Sequence, residues 1–186
     1  MKDISKISQH KESINRDLPA SRQRGFTLLE VMVSVAIIGM MALVLYPSII
    51  NSLETRSLEN AGRDILTSLQ RAKFEAVKSR INHRVRFDYA HDMWTYYIER
   101  EDSPGTWNSM PGFSRRFIPT KFTATVSFPN QIVQFSPLGF VSNYDSTQNS
   151  ISIQSPKLDR YNQPDLRVIS VYIGGSVQFT KAYGGE

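Results

Sequence analysis

The sequence contains no cysteine and only three histidines. A disulfide framework, a cysteine-based zinc site and a thiol nucleophile are therefore excluded. The histidines are too few and too scattered for a metal cluster or a catalytic triad, and no glycine-rich phosphate-binding motif is present. The loop aspartates Asp145, Asp159 and Asp165 do not have the spacing of an EF-hand. The sequence predicts neither an enzyme nor a bound metal or cofactor.

Long hydrophobic runs are scarce as well, since the chain has one, from Phe26 to Tyr46. A helix of about 20 apolar residues spans about 30 Å, the thickness of the hydrocarbon core of a bilayer. A plain single-pass anchor is the ordinary interpretation of such a run. A secretory signal peptide is the other ordinary interpretation. A signal peptide, however, has a shorter apolar core, and the small residue of its cleavage site follows that core. Here the small residue, Gly25, precedes the run, and a single acid, Glu30, lies inside it.

The net charge of +5 is unevenly distributed. Residues 1–25 contain six lysines and arginines and three acidic residues, so most of the excess lies ahead of the apolar run. Basic residues beside a membrane helix stay in the cytoplasm. We therefore predict a cytoplasmic head and a periplasmic body in the inner membrane, and we take the basic charge as weak support for nucleic-acid binding.

The residues around the start of the apolar run form a specific pattern, which reads Gly25-Phe26-Thr27-Leu28-Leu29-Glu30. Over residues 22–47 the chain resembles type IV prepilins and type II secretion pseudopilins. The resemblance implies cleavage after Gly25 by a prepilin peptidase, N-methylation of Phe26 by the same enzyme, and assembly through Glu30. It also implies contacts with other pilin subunits and with an inner-membrane assembly platform. Pro47 removes a helical hydrogen bond, which by itself predicts a kink in the helix. The leader is long for a mature chain that begins with phenylalanine.

Glu30 has a direct chemical rationale within this pattern. Cleavage would leave a new amine on Phe26 in an apolar environment, where an unpaired charge costs several kcal/mol. Glu30 lies one helical turn away and can neutralise that amine in its own chain or in a neighbouring subunit. The alternative is that Glu30 only reaches towards the membrane interface.

The rest of the chain has two periodicities. Residues 48–82 predict an amphipathic helix, because small and apolar residues recur every three or four positions: Leu58, Ala61, Ile65, Leu69, Ala72 and Ala76. After Asn82 the period changes to two, which predicts a hairpin and further strands. The predicted strands cover residues 84–89, 94–98, 124–128, 132–135, 150–154, 167–173 and 176–180. We expect loops at 103–105 and 110–112, where proline and glycine adjoin.

These patterns predict an α+β, pilin-like fold, with a long N-terminal helix packed on an antiparallel sheet. The predicted organisation is a leader (1–25), a transmembrane helix (26–47), an amphipathic helix (48–82) and a β-rich domain (83–186). Three later segments, Arg71–Ala76, Phe135–Gly139 and Arg167–Phe179, resemble the H-type minor pseudopilin and FimT-like branch.

The expected function is a minor pilin or pseudopilin, with neither a type II secretion pseudopilus nor a type IV pilus favoured. One alternative is an adhesive or DNA-binding FimT-like minor pilin. Arg115 and Arg116, beside Phe113 and Phe117, are its candidate DNA contacts, although a solvated loop is the favoured interpretation. The other alternative is a plain signal-anchored periplasmic domain.

Overall fold

A computed structural model describes residues 25–184, with the side chains of Val44 and Pro47 excepted. One helix, α1 (Leu28–Ser79), is followed by nine strands, a 3-10 turn (Pro129–Gln131) and a one-turn helix, α2 (Pro156–Asp159). The strands are β1 (His83–Ala90), β2 (Met93–Ser103), β3 (Thr106–Ser109), β4 (Arg116–Phe117), β5 (Thr123–Ser127), β6 (Ile132–Phe135), β7 (Ser150–Gln154), β8 (Leu166–Val171) and β9 (Val177–Ala182).

Helix α1 forms one continuous element where two were predicted. It passes position 47 without a break in helical structure and ends at Ser79, because Arg80 adopts a left-handed conformation with φ of 58°. The predicted kink at Pro47 stays a prediction. The chain forms two compact units, with the boundary between Ala42 and Leu43. The predicted leader, residues 1–25, lies outside the described part except for Gly25.

The strands form two antiparallel sheets, where a single sheet was predicted. The first sheet has the order β3-β2-β1-β6, with β4 also paired to β2, and the second has the order β5-β7-β8-β9. Strands β3 and β4 were missed. The Pro104-Gly105 pair that predicted a loop makes the turn between β2 and β3, where Gly105 has φ of 80°.

The core confirms the predicted helix face. The stripe residues of α1 are completely buried, except for the partly buried Ala61. Alternate residues of the strands close over them, including Phe87 of β1 and Phe135 of β6 in the first sheet, and Ile153 of β7 and Ile169 of β8 in the second. The amphipathic part of α1 therefore packs on the β-rich domain, in agreement with the α+β prediction.

Two loops meet α1 near its end, at the turns formed by Gly139 and Gly175. The ammonium group of Lys73 donates hydrogen bonds to the carbonyl oxygens of Gly174 and Gly175, at 3.2 and 3.0 Å. Gly175 has φ of 69°, and a Cβ atom at this position would overlap the carbonyl oxygen of Gly139. Only glycine fits there without displacing one of the two loops.

We expect Gly175→Ala to lower the free energy of unfolding by about 2 kcal/mol or more, because left-handed backbone alone costs an L-residue about 1–2 kcal/mol. Urea denaturation of the full chain in detergent measures the change. Gly174→Ala is the matched control, since a Cβ atom at Gly174 meets no other atom within 4 Å. Equal stability of the two variants would contradict the packing described for these loops.

An ion pair connects the hairpin of β8 and β9 to α1. The carboxylate of Glu59 accepts hydrogen bonds from Lys181 of β9 at 2.9 Å and from Arg63 at 2.8 Å. These two bonds lower the pKa of Glu59 to about 2. Arg167 of β8 is almost completely buried, and this burial lowers the pKa of its guanidinium group.

The lowered pKa of Glu59 predicts acid sensitivity. An unfolded glutamate titrates near 4.5, so the contribution of Glu59 to stability is complete above that pH and is lost as the pH falls towards 2. Because Lys181 and Arg63 are largely solvent-exposed, we expect only about 0.5–1 kcal/mol from these pairs. Glu59→Gln should lose that amount at neutral pH and show a flatter unfolding curve between pH 4.5 and 2. An unchanged pH profile in this variant would contradict the assignment.

Candidate functional site

The first turn of α1 is organised by Thr27. Its hydroxyl oxygen accepts a hydrogen bond from the backbone N–H of Glu30 at 3.2 Å, which is the geometry of an N-cap residue. The spacing Thr27-x-x-Glu30 matches a capping box, in which serine or threonine is followed three residues later by an acid. An acid in this turn also faces the positive end of the helix dipole. The sequence signal for this cap was present, but the prediction missed it.

The helical segment that follows is apolar, and its side chains are exposed. Every side chain described between Leu28 and Leu43 is exposed. An 18-residue window of α1 reaches a mean hydropathy of 2.5 with none of its residues buried. Contiguous apolar surface of this size is rare on soluble proteins and marks contact with lipid or with other apolar helices. The segment therefore has the length and composition of a membrane anchor.

Glu30 is the single charged residue on this surface between Gly25 and Leu53. Its position in the first turn places it one turn from Phe26, whose side chain is 81% exposed. A carboxylate in this setting is expensive in lipid unless a cation neutralises it. An amine created at Phe26 would supply such a cation at the correct helical spacing.

Gly25 is the first residue that the structure describes, and no other described residue crowds it. A Cβ atom built on it meets nothing within 4 Å, and its backbone is not in the left-handed region that favours glycine. Gly62, Gly139 and Gly175 differ, since a side chain at any of them would press on a neighbouring atom. The described residues therefore give no steric or conformational reason for glycine at position 25.

The two candidate DNA-binding arginines lie at β4, and both have acidic partners. Arg115 lies 3.8 Å from a carboxylate oxygen of Asp88, and its guanidinium group stacks on the ring of Tyr97 at 4.4 Å. Arg116 lies 3.4 Å from a carboxylate oxygen of Asp64 in α1. Each arginine thus has an acid nearby, although Arg115 shares Asp88 with Arg86, which lies 3.1 Å from it, and both arginines remain about half exposed.

The two phenylalanines of the predicted DNA-binding patch lie in different surroundings. Phe117 is 63% exposed beside the two arginines, whereas Phe113 packs against the core under a third arginine, Arg71, at 5.3 Å. The structure therefore does not bring the four predicted residues together as one basic and aromatic surface. Within residues 25–184, no group of three histidine, aspartate or glutamate side chains could hold a metal ion.

The N-terminal segment matches a known family model. Residues 20–46 match the family model described as the prokaryotic N-terminal methylation motif. No curated protein matches the chain significantly. The family-model match covers Gly25, Phe26, Glu30 and the whole apolar run to Tyr46, which carried the resemblance in the sequence.

Two solved structures are similar to the chain. The minor pseudopilin EpsH from the type 2 secretion system of Vibrio cholerae superposes with a TM-score of 0.51 at 11% identity, over 67% of this chain and 97% of that one. The type IV minor pilin FimU of Pseudomonas aeruginosa strain PAO1 gives a TM-score of 0.48 at 17% identity, over 68% of this chain and 90% of that one. The likeness to EpsH confirms the predicted pilin-like fold.

Proposed function

We propose that this chain, whose methylation motif and fold support the type IV pilin and pseudopilin family, is a minor subunit of a type II secretion pseudopilus or a type IV pilus. The motif and the fold support a structural role in a filament, anchored by an apolar N-terminal helix. We propose no catalytic activity. The observation that carries the proposal is the exposed apolar helix with a single acid in its first turn, preceded by a glycine that the fold does not need.

In the proposed pathway, a prepilin peptidase cuts between Gly25 and Phe26 and methylates the new amine of Phe26. Before cleavage, the chain lies in the inner membrane with its basic residues 1–25 in the cytoplasm and its β-rich domain in the periplasm. The assembly platform then moves it into the filament. The asymmetric charge of residues 1–25 supports this orientation.

Glu30 is the proposed assembly residue. A subunit entering the filament places its Phe26 amine in an apolar environment, and Glu30 of a neighbouring subunit can neutralise it. Formation of this pair sets the axial position of the new subunit, while the apolar surface of α1 supplies most of the attraction. The resemblance of the segments Arg71–Ala76, Phe135–Gly139 and Arg167–Phe179 to the H-type and FimT-like branch supports our proposal of a place among the minor subunits, near a filament tip.

Fractionation of the producing cells tests the proposed function. We expect the processed chain in sheared filaments or in the pseudopilus fraction, and the unprocessed chain only in the membrane. A chain that stays full-length and never leaves the membrane fraction would instead support the plain signal-anchored domain.

DNA binding is the weaker candidate, and the structure allows a direct test. Because Arg115 and Arg116 are paired with Asp88 and Asp64, we expect the full chain in detergent not to shift duplex DNA at about 150 mM salt. A salt-dependent shift in an electrophoretic assay, lost in the double variant Arg115→Ala/Arg116→Ala, would revive the DNA-binding alternative. Lys157→Ala, at an exposed lysine in α2, is the control for removal of a distant positive charge.

A further inference from the structure

A groove lies where the hairpin of β1 and β2 meets the start of β5. Its volume is about 350 Å³. It is lined by the end of that hairpin, by the segment that leads into β5 and by the first two residues of β5. A volume of this size is within the range of pockets that bind small molecules, roughly 300–1,000 Å³. None of these lining residues belongs to the predicted processing site or to the predicted DNA-binding patch.

Two aromatic rings form one wall of the groove. Tyr89 of β1 lies directly opposite Trp94 of β2, and their ring centres are 5.1 Å apart at an angle of 51°. Side chains two residues apart in a strand share a face of the sheet, so this pair lies on the same face as the buried Phe87 and Tyr96. Tyr89, however, is 56% exposed. The inner face of the first sheet therefore extends past the core and ends in two open aromatic rings.

The base of the groove is apolar as well. Ile118 and Phe122, both buried, line it together with the aromatic pair. The faces of aromatic rings carry partial negative charge and attract cations. Among the described residues that line the groove, none is basic. The ammonium group of the neighbouring Lys121 is already paired with Glu54, at 3.1 Å.

Asp92 is the single acid that lines the groove. Its carboxylate accepts a hydrogen bond from the hydroxyl of Tyr89 at 3.4 Å, which places the negative charge beside the aromatic wall. Asp92 takes part in none of the ion pairs formed within residues 25–184. The groove therefore contains a negative charge that the described chain leaves without a counter-charge.

The backbone at this position gives no preference for an acid. His91 and Asp92 form the two-residue turn between β1 and β2, and both have left-handed backbone, with φ of 53° and 57°. Turns of this kind favour glycine at the second position. Unfavourable backbone conformations are found frequently at ligand-binding sites. The turn holds the carboxylate of Asp92 at the groove, although its conformation alone would favour glycine.

The charge of the groove selects the class of ligand. An anion would be repelled by Asp92, and an uncharged apolar ligand would cover the carboxylate without pairing it. A cation gains from both the carboxylate and the aromatic faces. An ammonium group that carries methyl groups suits this surface best, because its methyl groups pack on the rings while its charge is attracted to them.

We propose that this groove binds a methylated ammonium group of the choline type. The ammonium lies against Tyr89 and Trp94 and pairs with the carboxylate of Asp92, above the ring of Phe122. All the lining residues belong to the β-rich domain. The inference is therefore independent of processing and of filament assembly, and its failure would leave the proposed function intact.

Trp94 supplies a direct signal for binding. The chain has two tryptophans, and Trp107→Phe leaves Trp94 as the single one. The full chain with this change, in a maltoside detergent, is titrated with choline chloride against equal concentrations of sodium chloride. We expect a saturable change in the emission of Trp94. The uncharged isostere of choline, in which carbon replaces the nitrogen, should bind about tenfold more weakly or worse.

Asp92→Asn, made in the same background, tests the carboxylate. Asparagine tolerates left-handed backbone, so the turn keeps its conformation, and we expect choline to bind about tenfold more weakly or worse. Asp159→Asn is the matched control, since Asp159 is an exposed acid in α2 that does not line the groove, and its variant should bind choline normally.

Three results would overturn the inference: no saturable change with choline, equal binding of the isostere, or equal binding by Asp92→Asn. Ethanolamine that binds as tightly as choline would overturn it too, because the groove would then take a primary amine such as a lysine side chain. The choline and isostere titrations use the natural aspartate, so they decide the matter even if Asp92→Asn is less stable.

Discussion

Replacing Gly25 by valine should leave the chain uncleaved, with processing reduced at least 100-fold. Within residues 25–184, a Cβ atom built on Gly25 meets no atom within 4 Å. The valine therefore leaves the fold intact and acts only where the peptidase must accept this residue. A loss of about 2.8 kcal/mol in binding of the cleavage transition state corresponds to the 100-fold reduction.

Immunoblotting after a pulse of synthesis measures this result directly. Cleavage removes 25 of the 186 residues of a 21.2 kDa chain, a shift that gels resolve. Gly39→Val is the matched control, because Gly39 lies in the apolar helix and a side chain there also meets nothing within 4 Å. Normal cleavage of Gly25→Val, or equal loss of cleavage in both variants, would contradict the assigned processing site.

Replacing Glu30 by alanine should have the second large effect, at a later step. We expect cleavage and methylation to continue while incorporation into filaments falls at least tenfold. The amine of Phe26 would then be buried without a counter-charge, and an unpaired buried charge costs at least 1–3 kcal/mol, of which 1.4 kcal/mol is a factor of ten. The ratio of filament-bound to membrane-bound mature chain measures the change.

Two further variants separate charge from helix geometry. Glu30→Gln keeps the shape of the side chain but removes its charge, and we expect it to assemble as poorly as Glu30→Ala. Thr27→Ala removes the hydroxyl that caps the first turn, at a cost of about 1 kcal/mol, and keeps the carboxylate. If Glu30→Gln assembles normally while Thr27→Ala does not, the first turn matters for its helical structure and the proposed charge pair is wrong.

The sequence predicted the helix and most strands because burial on one face leaves a strong periodic signal. The buried stripe from Leu58 to Ala76 and the alternation in β1 and β7 are of this kind. Strands β3 and β4 left no such signal, since their residues are mostly exposed and hydrogen-bond to one edge of β2. Division into two sheets depends on strand pairing between distant residues, which periodicity does not encode.

The residues of the candidate site also differ in how well the sequence predicts them. Gly25, Phe26 and Glu30 could be singled out from the sequence because they belong to a linear motif, whose residues are close together in the chain before it folds. Pairing of Arg115 with Asp88 and of Arg116 with Asp64 could not be predicted, because the partners are distant in sequence and meet only in the folded chain.

The central claim is that the working chain is a trimmed subunit whose new amine lies one turn from Glu30. Mass spectrometry of the N-terminal peptide, taken from the chain in purified filaments, tests it most directly. We predict a peptide that begins at Phe26 and carries one added methyl group on its amine. Recovery of assembled chains that still begin with residues 1–25 would contradict the claim.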